Sequence, residues 1–398
     1  MADLLYGWEF GANLGHVGSF LPLAHQLRQR GHLVHWAVSQ PSSVGGLLAR
    51  QGFECLPAPV APEIRLPGAP ASYADILLRF GYQSPAAVLG LVQAWRSLFR
   101  LSRARLLVAD HAPTAILAAR TLDLPVALFS NGFSTPPDQY PLPSMRHWSP
   151  VPSNLLRQSD DAVRNTINTV LAHYGKPGLQ TTSQLFQVAE HALVTFPELD
   201  HYHQRGPSAY WGALPFMGGG HQVDWSVIQA PRFFVYMRTQ VPSYRECLRA
   251  LQRLGAGGAV YFPDIPPDLD QQLAGSSLQV FREPVNLRQA VQGCDAVVCY
   301  GSSLTTVAAL VAGKPLLLMP SHLEQYMQSI RAADMGAGMV VNPEQPPPDW
   351  AALLQHLLEE PSYRANAQAF ARKYQHFDQE NVLNNLTLRL EQLIVQAA

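Results

Sequence analysis

Charge is the scarcest property of this 398-residue sequence: Asp, Glu, Lys and Arg make up 14% of it, and the formal balance is −1. No basic tract or arginine run occurs, so the electrostatic footprint of a nucleic-acid binder or a protein held on anionic lipid is missing. Cysteine is nearly absent as well. The four present, Cys55, Cys247, Cys294 and Cys299, show no paired spacing and suit free thiols in a reducing compartment. The most apolar helix candidate, residues 86–98, is interrupted by Gln93 and Arg96 and is too short to span a bilayer. Residues 1–6 carry an acid at Asp3 and run directly into a strand, unlike a secretory leader. There is no tandem repeat and no low-complexity tail. A soluble cytoplasmic protein is expected, without nucleic acid as a partner. The oligomeric state is left open.

Apolar residues, by contrast, are plentiful at 47%, and the length suits two domains rather than one core. Strand and helix patterns alternate, the mark of parallel α/β layers. In the first half, strands are expected at 4–8, 33–37, 105–108, 126–129 and 192–195. Helices are expected there at 17–30, 43–51, 85–102, 113–122 and 154–173, and the proline-rich stretch 56–70 reads as a loop. The alternation breaks at Phe216-Met217-Gly218-Gly219-Gly220 and restarts with strands at 233–237, 259–262, 278–281, 296–299 and 316–319. A first domain at 1–215, a hinge at 216–230, a second domain at 231–375 and a closing helix at 376–398 follow. Two such halves imply a cleft lined by loops at the carboxyl ends of the strands.

The richest segment is 295–325. An apolar strand leads into Tyr300-Gly301-Ser302-Ser303, then a helix of small residues, Gly313-Lys314-Pro315, a second strand, and Pro320-Ser321-His322-Leu323-Glu324-Gln325. A strand feeding a small turn that opens a helix presents unpaired N–H groups and a positive dipole end to an anion. The acid–amide pair after the next strand can grip hydroxyls. Phosphate on one side and hydroxyls on the other suggest a nucleotide-sugar.

The first strand ends in a turn with Gly11, Gly15 and Gly18. This is not the Gly-x-Gly-x-x-Gly of a dinucleotide fold, and no acid closes the second strand, so a nicotinamide enzyme is disfavoured. His16 stands at the junction of that turn with a helix. Asp110 follows another strand and suits two roles, an orienting partner for His16 or an N-cap for the helix after it. His201 and His203 read as a solvated turn, and His322 as a cap.

Gly15-His16-Val17, Leu21-Pro22-Leu23-Ala24 and Arg30-Gly31-His32 are similar to the opening of bacterial GT-B glycosyltransferases of the UDP-glycosyltransferase type. Segment 295–325 resembles their donor-binding segment, and the similarity runs the length of the chain. The resemblance implies an α/β fold of two Rossmann-like parallel-sheet domains facing across a cleft. The C-terminal helix is expected to pack back on the N-terminal domain. It also implies an inverting transfer of a sugar from a nucleoside diphosphate, UDP or dTDP, to a hydroxyl of a small hydrophobic acceptor.

In that reading His16 is the general base and Asp110 its partner. Arg238, Thr239, Tyr300, Gly301, Ser302, Ser303, Thr305 and Thr306 surround the diphosphate. Pro284 and Val285 lie near the base, Glu324 and Gln325 hold the sugar, and Gly15, Tyr82 and Phe133 lie on the acceptor side. No metal and no cofactor beyond the donor substrate are implied. The departures are Tyr300 for a histidine, Ser302 and Leu304 for glycines, Ala308 for a glutamate, and Arg238-Thr239 for Gly-Ser. Arg238 is expected to restore the charge missing at Tyr300. Because the donor loop is altered, a non-catalytic nucleotide-sugar-fold protein and a nucleotide-sugar epimerase of the same architecture are the alternatives.

Overall fold

Short runs of Leu, Val, Ala and Phe, apolar on both faces, become strands covered by helices on either side, which is what a parallel sheet requires. The computed structural model describes residues 2–11, 15–203, 205–214 and 219–396. It divides into one unit of 1–215 with 379–398 and a second of 216–378.

In the first unit the strands are β1 (Asp3–Trp8), β2 (Leu33–Val38), β3 (Cys55–Pro57), β4 (Leu106–Asp110), β5 (Val126–Ser130) and β6 (Glu190–Leu193). All neighbours are parallel and the order is β3-β2-β1-β4-β5-β6. The helices are α1 (Gly15–Gln29), α2 (Pro41–Arg50), α3 (Tyr73–Leu77), α4 (Pro85–Leu101), α5 (Pro113–Arg120) and α6 (Ser153–His173). Several details differ from the sequence reading, among them the short helix α3, which the expected elements lacked. The strand expected at 192–195 lies two residues earlier, and Cys55–Pro57, at the head of the expected loop, adds a short edge strand beside β2.

The second unit repeats the plan. Strands β7 (Arg232–Tyr236), β8 (Gly257–Tyr261), β9 (Leu278–Phe281), β10 (Ala296–Cys299), β11 (Leu316–Leu318) and β12 (Gly338–Val340) lie in the order β12-β11-β10-β7-β8-β9. Helices α7 (Tyr244–Arg253), α8 (Pro267–Leu273), α9 (Leu287–Gly293), α10 (Ser303–Val311), α11 (Leu323–Asp334), α12 (Trp350–Glu359) and α13 (Pro361–Lys373) surround the sheet. Each unit therefore has the doubly wound order in which strand 1 sits beside strand 4. The connections leaving those two strands diverge and open a crevice at their carboxyl ends.

The residues expected as a hinge behave differently. Phe216, Met217 and Gly218 lie outside the described residues. From Gly219 on, the segment packs onto the second unit: His221 bridges Val285, and Val223 donates its N–H to Gln289 Oε1 at 2.8 Å. Val223, Trp225 and Ile228 are buried. Three apolar side chains within six residues bury more surface by docking than a linker leaves in water.

The last described helix, α14 (Gln379–Gln396), belongs to the first unit. Its Leu383, Leu386, Leu390, Leu393 and Ile394 stripe joins the core formed by β1 and α1. Polar contacts fix its register. Arg30 pairs with Glu391 at 2.6 Å and His32 Nε2 with the same carboxylate at 2.9 Å. Arg389 Nε reaches Glu190 at 2.6 Å. At Glu391 the Arg30 hydrogen bond outweighs burial and holds the carboxyl down at about 2. Among the described residues, no helix is long and apolar enough to cross a membrane.

Candidate active site

In the first unit the parallel register puts Trp8 of β1 opposite Asp110 of β4. His16 is the second residue of α1, the helix leaving β1. Its Nδ1 lies 2.9 Å from Asp110 Oδ1, and its ring stacks on Trp8 with centroids 5.1 Å apart. The other oxygen of the carboxylate accepts a hydrogen bond from the Tyr6 hydroxyl at 2.7 Å. Asp110 is 5% exposed and Tyr6 is fully buried, so both carboxylate oxygens are satisfied away from water. The His16 side chain keeps 18% of its surface exposed.

Gly11 makes room for this arrangement. Its φ is +99°, and a Cβ there would stand 2.7 Å from His16 Nε2, so a left-handed backbone and an adjacent imidazole both favour glycine. Ala12, Asn13 and Leu14 lie outside the described residues.

The capping role open to Asp110 is taken by another residue. Helix α5 has Ala112 at its N-cap without a side-chain cap. Its first amides go instead to Glu9, at the end of β1. Thr114 N–H donates to Oε2 at 3.1 Å and Ala115 N–H to Oε1 at 2.5 Å. Glu9 is 2% exposed, and burial pushes its carboxyl up to about 8 against the pull of those hydrogen bonds. With the helix capped from β1, Asp110 is available to His16. His111 follows at φ +48°, in a region that costs a non-glycine residue free energy.

The acceptor-side residues fall at different depths. Gly15 opens α1. Phe133 packs edge-on against Tyr73 and His111, beside Asp110 in the chain. Tyr82 is fully buried, with its hydroxyl 3.2 Å from Thr114 Oγ1. His201 corrects the expectation of a solvated turn: it is 1% exposed, its Nδ1 lies 3.2 Å from the Asn131 carbonyl, and its ring meets Phe133.

The corresponding crevice of the second unit holds the expected donor residues. Ser302 is the N-cap of α10 but caps nothing with its side chain; its hydroxyl donates to Thr305 Oγ1 at 2.9 Å. The helix thus begins without a side-chain cap, the condition for receiving an anion. Gly301, at φ +77°, packs against the first turns of α11: a Cβ would meet Ser329 Oγ at 2.5 Å and the Gln325 carbonyl at 3.2 Å. Ser303 Oγ donates to Gln328 Oε1 at 2.7 Å. These contacts bring the turn after β10 against α11, which carries Glu324 and Gln325. Gln325 is buried, and its Oε1 accepts from Ser321 N–H and Oγ at 2.9 and 3.0 Å. His322 occupies the N-cap of α11 with no side-chain cap hydrogen bond.

Tyr300 is 6% exposed and leans on Tyr236, ring centroids 4.8 Å apart. Burial raises its hydroxyl well above the usual tyrosine value. Thr305 and Thr306 are both buried, at 2% and 0% exposure. Arg238 and Thr239 follow β7. Both turn to Asp264: Arg238 Nε lies 3.6 Å from Oδ1, and Thr239 Oγ1 donates to Oδ2 at 2.7 Å. Sequence reasoning passed over Asp264, although an acid just beyond a strand's carboxyl end was the signal that singled out Asp110. At the base-side pair, His221 N–H donates to the Pro284 carbonyl at 2.8 Å, and Asn286 N–H to the His221 carbonyl at 2.9 Å. Gly220, at φ +94°, lies close against the same peptides: a Cβ there would stand 2.6 Å from the Pro284 carbonyl oxygen and 2.9 Å from that of Val285.

Asp268 and Asp270 of α8 are an Asp-x-Asp pair, but Arg245 and Arg282 occupy them. Among the described residues, no cluster of three or more His, Cys, Asp or Glu is disposed to hold a metal ion.

Comparison with known proteins gives this arrangement a family context. Residues 279–376 match the erythromycin biosynthesis protein CIII-like C-terminal domain. Spinosyn rhamnosyltransferase SpnG, solved with spinosyn aglycone, superposes with a TM-score of 0.70 over 98% of this chain and 100% of that one, at 20% identity. The chain has the GT-B fold.

The same SpnG solved with thymidine diphosphate matches this GT-B chain with a TM-score of 0.67, at 18% identity, over 94% and 96% of the two chains. The calicheamicin glycosyltransferase CalG4 matches at 0.71, 16% identity, over 100% and 99%. Elloramycin glycosyltransferase ElmGT of Streptomyces olivaceus is 30% identical over 154 residues. That match spans 35% of the GT-B chain and 37% of ElmGT.

Proposed function

We propose that this protein is an inverting glycosyltransferase that moves a sugar from a nucleoside diphosphate to a hydroxyl of a small, largely apolar acceptor. The observation that carries the reading is the His16 Nδ1–Asp110 Oδ1 contact of 2.9 Å at the crevice of the first unit. A histidine that donates Nδ1–H to a buried carboxylate presents Nε2 as its acceptor, with the tautomer fixed.

As the acceptor oxygen bonds to the anomeric carbon, its proton passes to His16 Nε2. The bond from that carbon to the diphosphate breaks, and the electron pair leaves with the phosphate. General base assistance of this kind is worth roughly 10²–10⁴-fold, and Asp110 favours the imidazolium that results. The leaving diphosphate is met by the uncapped start of α10 with the Ser302 and Ser303 hydroxyls, and by Arg238 once it exchanges Asp264 for phosphate. Glu324 and Gln325 take the sugar hydroxyls. The peptide edge of Val285, next to Pro284, takes the base. These interactions stabilise the departing charge without calling for a metal.

Thymidine diphosphate is the favoured donor nucleotide, supported by the SpnG complex, with uridine diphosphate as the other candidate. An aglycone-like acceptor is supported by the company of SpnG, CalG4 and ElmGT.

The test is thermal stabilisation by dTDP, UDP and GDP, followed by transfer assays with the matching sugars and a set of polyketide aglycones. A nucleotide at a hundred times its Kd adds about 2.7 kcal/mol of stability. His16→Ala is expected to abolish transfer and keep that stabilisation. Normal transfer by the variant would reject His16 as the base. Sugar products formed from donor alone would favour an epimerase.

A further inference from the structure

We propose that Tyr6 is a positioning residue that sets the basicity of His16 by holding the far oxygen of Asp110. The proposal rests on His16 being the base. It goes beyond the histidine–carboxylate pair by making the unit a relay of three side chains from two adjacent strands and a helix.

The geometry is determined by the sheet. In parallel register Tyr6 lies opposite Val108, and Asp110 lies two residues further on, opposite Trp8. Residues two apart on a strand share a face and are separated by about 6.6 Å, the reach of a tyrosine from Cα to hydroxyl. Tyr6 therefore spans the step along β1 and meets Asp110 Oδ2 at 2.7 Å. Its ring is clamped between Phe20, stacked at 4.6 Å, and Trp36 at 4.7 Å, and it has no exposed surface. A clamped donor fixes the plane of the carboxylate and so aims Oδ1 at His16.

The hydroxyl also divides the charge of Asp110. A carboxylate that accepts a charge-assisted hydrogen bond at one oxygen holds a cation less tightly at the other. Burial and the neighbouring carboxylate raise the Tyr6 hydroxyl well above its usual value, so it donates at every working pH. With the hydroxyl gone, the negative charge falls on His16 alone. The imidazolium is then favoured, and the base is already protonated at a pH where it should be free.

The other titratable groups around the relay are few. Glu9 closes β1, its carboxyl pushed up to about 8. Burial raises the hydroxyl of Tyr73 in α3 far above its usual value, and the nearby Glu9 and Asp110 push in the same direction. His111 has its ring 6.4 Å from that of His16. Glu9 and the imidazole of His111 can both change charge near neutral pH, so both must be followed beside His16.

The experiment is a nuclear magnetic resonance titration of assigned histidine ring signals in Tyr6→Phe, alongside the pH profile of kcat/KM for transfer. Tyr6→Phe is expected to raise the His16 pKa by about half a unit or more. The acid limb of the profile should move by the same amount, with the donor KM unchanged. Replacing Tyr6 with a ring-fluorinated tyrosine, a stronger donor of the same shape, should move His16 the opposite way. An unchanged His16 titration in both folded variants overturns the proposal. The titration needs no turnover, so it separates this failure from a failure of the base assignment, which His16→Ala reports independently.

Discussion

Glu9 offers a quantitative test of how the first unit is built. Its carboxyl sits 2% exposed at the end of β1 with the first amides of α5 donating to it. Burial moves its pKa from 4.5 to about 8. Between those values the folded protein binds a proton there that the unfolded chain does not, so stability falls as pH rises through the window. The loss is complete once pH exceeds about 8. A displacement from 4.5 to about 8, at roughly 1.4 kcal/mol per pH unit, amounts to about 5 kcal/mol.

Glu9→Gln removes the titration and keeps one oxygen, which can accept from Thr114 or from Ala115 but cannot replace both carboxyl oxygens. Relative to the difference seen near pH 5, the variant should gain on the wild type progressively up to pH 9, by as much as about 5 kcal/mol. Urea denaturation followed by tryptophan fluorescence at several pH values measures the difference. Hydrogen exchange at the Thr114 and Ala115 amides localises it. Parallel stability–pH curves for the two proteins would refute the reasoning, because they would mean that Glu9 is ionised in the folded state.

Two further perturbations bear on the candidate sites. Gly11→Ala places a methyl group 2.7 Å from His16 Nε2 on a backbone at φ +99°; turnover should fall on the order of a hundredfold while dTDP stabilisation is retained, since the damage is confined to the base. Arg238→Ala should weaken dTDP binding by roughly 10- to 100-fold, the worth of one charge-assisted hydrogen bond. Calorimetry that returned an unchanged Kd would remove Arg238 from the phosphate site and leave the start of α10 to bear that charge.

Much of this could be read in the sequence, for physical reasons that also explain the gaps. Leu278–Phe281 and Ala296–Cys299 match the expected bounds residue for residue, because each is a short, mostly apolar stretch stopped by polar or turn residues. Cys55–Pro57 and Gly338–Val340 were missed: three residues carry no periodicity, and edge strands borrow their order from a neighbour. His16 and Asp110 were legible because both stand at carboxyl ends of strands, and the fold brings such ends together.

Tyr6 and Glu9 were not legible. Tyr6 reads as an ordinary strand residue until the register of β1 against β4 is known. Glu9 acts on a helix that begins 104 residues later in the chain. Nothing local showed that it, rather than Asp110, would cap α5. Val223, Trp225 and Ile228 were likewise submerged in a glycine-rich stretch whose composition reads as hinge.

The return of α14 to the first unit has a consequence for how the protein comes into being. The first unit is interrupted by the second: its core is completed by Leu386, Leu390 and Leu393, which leave the ribosome only after residues 216–378. At about 5–20 residues per second, β1 and α1 wait many seconds with the apolar groove for α14 uncovered. The second unit, continuous in sequence, meets no such delay. Nascent chains should therefore acquire structure from the middle outward, with the first part synthesised the last to be sealed. A chaperone that shields the α1 groove during that interval would find its binding surface erased at the moment of release.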